Sequence, residues 1–78
     1  MRQKRLSPVK VGSQISIFRN AQNISISTFA SLINVSSSSL HNWEKGKNLP
    51  TLENVVKICN MLNIRISDLV NPNSVNIS

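Results

Sequence analysis

Cysteine, histidine, glycine and acidic residues are all scarce in this 78-residue chain, and each scarcity removes a class of function. The one cysteine, Cys59, has no partner for an internal disulfide, and with the single His41 it cannot supply the donor set of a structural zinc site. No metal is expected, and the core must hold by packing alone. The three acids, Glu44, Glu53 and Asp68, are not placed to complete a catalytic group with His41 or Cys59. No catalytic residue, no cofactor and no enzymatic activity is therefore expected. Two glycines, Gly12 and Gly46, build no phosphate-cradling loop. Apolar residues make up 40% of the chain but never run beyond two in a row. A membrane span takes about 20 in sequence and a signal peptide about 7 to 15. The expectation is a soluble, cytoplasmic chain of one small domain, burying roughly 60% of its unfolded surface and leaving little room for a second function.

What the sequence has in excess is positive charge. Nine Lys and Arg against three acids give a net +6, an attractive field for polyanions such as nucleic acid or an anionic membrane surface. The excess is partly terminal: residues 1–9 carry Arg2, Lys4 and Arg5 with Pro8 and no apolar period, and read as a flexible basic arm. Residues 71–78 open on the stop signal Asn71-Pro72 and read as a polar tail. Residues 10–70 form the domain between them, without internal repeat.

Helical spacing dominates that domain. Val11, Ile15, Phe18 and Gln22 mark a first helix over about 11–22, followed by a turn at Asn23. Ser25 caps a second helix bearing Ile26, Phe29, Ala30 and Ile33, which Asn34 ends as a left-handed residue. Ser36 caps a third, running through about Lys45 with Gly46 just beyond. Pro50 and Thr51 open a fourth with Leu52, Val55, Ile58, Cys59 and Leu62 inward, and a last turn from about Ile66 to Val70 presents Leu69 and Val70. The fold class is all-α, and the short link between helices 2 and 3 forces the sharp angle of a helix-turn-helix.

At about 100° per residue, Ser37, Ser38, His41, Asn42 and Lys45 span about 0° to 140° of helix 3, while Leu40 and Trp43 lie on the opposite side. One face belongs to the core. The other carries small hydrogen-bonding groups and a cation, as a helix that reads a DNA groove requires, although an ordinary solvated face has the same composition.

With Gly12, Ile15 and Arg19 in helix 1, Phe29-Ala30 in helix 2, and Val35 before the Ser36 cap, the chain resembles the Cro/lambda-repressor-type helix-turn-helix family of bacterial and phage regulators. Leu40, Trp43-Glu44-Lys45-Gly46-Lys47, Pro50, Leu52, Ile58, Leu62 and Leu69 extend the match, which runs from Val11 to Val70. The resemblance implies a five-helix repressor-type domain with helix 2 on the DNA backbone and helix 3 in the major groove. It also implies a structural pair between Arg19 and Glu44, because a glutamate on a DNA-binding helix repels phosphate unless neutralised. The chain departs from the family at two places, the starts of helices 2 and 3. Ile26 stands where glutamine often touches phosphate, and Ser37 and Ser38 stand where longer side chains often begin helix 3.

The expected function is sequence-specific binding of double-stranded DNA by a small transcriptional regulator, a homodimer on a two-fold operator. The alternative is a protein-interaction module with the same fold, such as an antitoxin or adaptor, whose partner is a protein. The expected DNA-binding residues are Ser36, Ser37, Ser38, His41, Asn42, Lys45, Lys47 and Asn48, with His41 and Asn42 reading bases and Lys47 and Asn48 on phosphates. Trp43 is expected in the core, leaving no exposed aromatic platform for RNA, and Cys59 is expected as a small buried hydrophobe. Arg2, Lys4 and Arg5 either enter a minor groove or only add nonspecific attraction. Ile64, Ile66 and Val70, with Val75 and Ile77 of the tail, are the apolar residues left for a dimer contact through the last helix and tail.

Overall fold

The computed structural model describes residues 6–70, which form five helices: α1 (Pro8–Ala21), α2 (Ile26–Leu32), α3 (Ser37–Glu44), α4 (Leu52–Leu62) and α5 (Ile66–Val70). Hydroxyl caps start the first four. Ser7, Ser25, Ser36 and Thr51 each accept a hydrogen bond from the backbone N–H three residues on, at 3.2, 3.1, 3.0 and 3.3 Å, satisfying a donor the helix itself leaves free. In α5 the Asp68 carboxylate instead accepts from the Arg65 N–H at 3.0 Å.

Left-handed residues follow the ends of the first four helices. Asn23, Asn34 and Asn63 have φ of 59°, 62° and 59°, and Gly46 has φ of 78°, a conformation that asparagine and glycine tolerate best. At Asn34 the chain turns through Val35, whose N–H donates to the Ala30 carbonyl at 2.9 Å. That is the sharp corner between α2 and α3.

All five helices contribute to one core. Ile15, Phe29, Leu40, Ile58, Leu62 and Leu69 are essentially inaccessible, with Val11, Ala30, Ile33, Trp43, Val55 and Cys59 buried around them. Cys59 and Trp43 thus sit where the sequence suggested. Helix α1 packs against α3, α4 and α5, α2 against α3, and α4 against α5. Side-chain amides tie the ends together: Gln22 donates to the Leu62 carbonyl at 2.8 Å and Gln14 to the Asp68 carbonyl at 3.2 Å.

Several expectations are corrected. The first helix begins at Pro8, not near 11, because Pro8 occupies the first-turn position where its missing N–H costs nothing. Pro8 and Val9 therefore belong to α1 and not to the basic arm, whose residues 1–5 lie outside the described residues. Gln22 is a helix cap held by its bond to Leu62, not part of a buried face. Leu52 is 72% exposed, since the first turn of α4 extends past the edge of the core. Ile64 and Val70 pack against the chain's own core, leaving Ile66 as the exposed apolar residue of α5. Val75 and Ile77 lie outside the described residues.

Candidate nucleic-acid interface

Helix α3 is anchored from behind and open in front. Leu40 and Trp43 turn inward and are buried. Behind its C-terminal turn lies Gly12 of α1. A Cβ there would collide with the Trp43 carbonyl oxygen and lie 3.0 Å from that of Glu44. Only glycine lets α1 approach α3 this closely.

The second anchor is ionic. Arg19 donates from Nε to Glu44 Oε2 at 2.7 Å and from Nη2 to Oε1 at 2.9 Å, with both side chains 8% exposed. Its Nη1 donates to the Ile24 carbonyl at 2.6 Å. The hydrogen bond to Glu44 holds the guanidinium above its ordinary pKa, against the opposing effect of burial. Every described buried side-chain nitrogen and oxygen has a partner. The negative charge on α3 is thereby neutralised from inside the protein.

In front, Ser37, Ser38, His41 and Lys45 are exposed and Asn42 is half-buried, with Lys47 and Asn48 exposed on the loop beyond Gly46. That loop is fixed by the Gly46 turn, in which the Lys47 N–H donates to the Asn42 carbonyl at 3.0 Å. Ser36 is also exposed, but its hydroxyl is engaged locally: it accepts from the Ser39 N–H and bonds to Ser39 Oγ at 3.0 Å. Ser37, Ser38, His41 and Asn42 line one notch of about 400 Å³. Its remaining wall is Ile26, from the first turn of α2. Sequence periodicity treats each helix alone and places Ile26 with the apolar residues of helix 2, and the family resemblance marks it as a departure from a phosphate-touching glutamine; neither shows its place in the notch. A second groove of about 460 Å³, lined by Leu32, Ile33, Asn34, Lys57, Asn60 and Met61, holds none of the residues expected to touch DNA. Among the described residues, no cluster of three metal-ligating side chains occurs and no helix is long and apolar enough to cross a membrane.

A short helix with an outward polar face, entered through a sharp turn from a preceding helix and locked from behind, defines a helix-turn-helix protein. The family model HTH_3, described as helix-turn-helix, matches residues 15–69, and the chain belongs to that family. It is 36% identical over 61 residues to the cryptic phage CTXphi transcriptional repressor RstR of Vibrio cholerae, a match covering 78% of this chain and 54% of that protein. The chain thus spans about half the length of that curated relative. Among solved structures it is similar to the restriction-modification controller protein C.AhdI of Aeromonas hydrophila, with a TM-score of 0.75, 29% identity, and 80% and 94% of the two chains covered. The biofilm regulator SinR, of Bacillus subtilis, in complex with DNA shares the fold at a TM-score of 0.75 and 22% identity, over 78% of this chain and 98% of its own.

Proposed function

We propose that this chain is a small transcriptional regulator that binds double-stranded DNA sequence-specifically by laying α3 into the major groove, and that it works in the cytoplasm without catalysis. The observation that carries this reading is the notch face of α3, where Ser37, Ser38, His41 and Asn42 stand together in front of a helix fixed by Arg19 and Gly12. Membership of the helix-turn-helix family supports it, as do a relative named a transcriptional repressor and a neighbour solved with DNA. His41 and Asn42 read base edges, with Ser37 and Ser38 acting at close approach. Lys45, Lys47 and Asn48 meet phosphates, which fix register without carrying sequence information. Ser36 acts by holding the helix start.

The dimer belongs to the same proposal. Two copies would read half-sites about 34 Å apart and gain their specificity jointly. Ile66, 42% exposed on α5, is the apolar side chain that supports a contact there. The test is fluorescence anisotropy on duplexes selected from a randomised library, repeated across a salt series. For a dimer making at least about five phosphate contacts, log affinity should fall against log salt with a slope of about −4 or steeper. A flat response would overturn the DNA reading in favour of a protein partner. Sedimentation on the selected duplex tests assembly: one wild-type chain per duplex would overturn the dimer, whereas a pair lost in Ile66→Asp supports contact through α5.

A further inference from the structure

Among the four polar side chains of the α3 notch stands one apolar wall, and it comes from a different helix. We propose that Ile26 is a specificity-determining residue that reads the 5-methyl group of a thymine in the major groove, an inference that rests on the DNA reading of α3. Ile26 is half-buried and packed against the core on one side, and it lines the notch with Ser37, Ser38, His41 and Asn42 on the other. Its position is fixed. It directly follows the cap Ser25, whose hydroxyl oxygen accepts from the Thr28 N–H at 3.1 Å and bonds to Thr28 Oγ1 at 3.0 Å. The serines opposite are too short to fill the space, so the notch stays open to a group arriving from outside.

The chemistry of that group follows from the wall. Ile26 has no side-chain donor to offer a phosphate, and facing a charged oxygen would desolvate it without return. Base edges in the major groove present donors and acceptors, with one apolar exception: the methyl on C5 of thymine. Set against Ile26, that methyl leaves water while the neighbouring His41 and Asn42 hydrogen-bond to polar edges. Burying one methyl is worth about 0.8 kcal/mol, so the expected preference for thymine over the same base without its methyl is about fourfold.

Uracil differs from thymine only in lacking the methyl, so it provides the test. Duplexes retained by the wild-type protein from a randomised library are remade with each thymine replaced in turn by uracil, and affinities are measured at one salt concentration. At one position per half-site, uracil should weaken wild-type binding about fourfold, and Ile26→Ala should bind the thymine and uracil duplexes equally. If Ile26→Ala fails to fold, Ile26→Val keeps most of the packing and must still narrow the ratio. No retained duplex at all would overturn both this proposal and the DNA reading. Retained duplexes with no uracil-sensitive position would overturn this proposal alone. A uracil penalty that survives undiminished in a folded Ile26 variant would also overturn it, by assigning the methyl to another residue.

Discussion

Arg19 and Glu44 are 25 residues apart in sequence, yet their side chains meet in a two-point ion pair at 2.7 and 2.9 Å between α1 and the end of α3. Because both are almost fully covered, removing either partner strands the other in a place where water cannot compensate. Arg19→Ala and Glu44→Ala should each lower stability by about 3 to 5 kcal/mol, a large share of the roughly 5 to 15 kcal/mol that holds a domain together. Arg19→Ala should be the worse, since it also frees the Ile24 carbonyl. Urea denaturation of the singles and the double reads the coupling, and the double should lose clearly less than the sum. Strict additivity would mean that the pair does not form in solution.

Gly12 is the second test of how α3 is held. On an exposed helix face, glycine to alanine would be stabilising by about 0.5 to 1 kcal/mol. Here the new methyl would strike the carbonyls of Trp43 and Glu44, backbone atoms that cannot rotate aside. Gly12→Ala should therefore lower the melting temperature and, by displacing α3, weaken DNA binding as well. A raised melting temperature would show that α1 and α3 do not approach this closely at Gly12.

Much of this arrangement was legible in the residues because it is local. The caps Ser25, Ser36 and Thr51, the left-handed Asn34, and the opposition of Leu40 and Trp43 to the polar face of α3 each depend on a few neighbours in sequence. What stayed hidden depends on where elements end or meet. Pro8 read as part of an arm because basic residues precede it, although its ring suits a first helical turn. Leu52 shares a helical spacing with Val55 and Ile58, but period alone does not say how far the core reaches. Ile64 and Val70 looked spare until α5 folded back against α1 and α4. The notch requires α2 and α3 in register, which no one-dimensional pattern contains.

Asn42 and Lys47 separate sequence reading from attraction. Asn42 lies in the notch and Lys47 beyond it on the exposed loop. Asn42→Ala should cost about 1 to 3 kcal/mol on a selected duplex and little on random DNA, whereas Lys47→Ala should weaken both alike and reduce the salt slope by about 1. Anisotropy titrations on paired duplexes check both at once. If Asn42→Ala lowers selected and random affinities equally, Asn42 contacts no base.

Cys59 reports on the core independently of DNA. Burial pushes its thiol pKa up, and the negative charge of Asp68 adds to the effect. In the unfolded chain the thiol ionises near its ordinary value of about 8.5. Below that pH both states hold the proton and the stability contribution is intact. As pH rises toward and through the higher folded value, the unfolded chain ionises first and is favoured. The stability difference between wild type and Cys59→Ala should therefore shift against the wild type from pH 7 to 10. Alkylation supplies the second measurement, because a buried neutral thiol reacts only when the domain opens. At pH 8 an iodoacetamide-type reagent should label the folded protein about a thousandfold more slowly than the urea-unfolded chain. Equal labelling rates would place Cys59 at the surface and dissolve the packing of α4 against the rest of the domain.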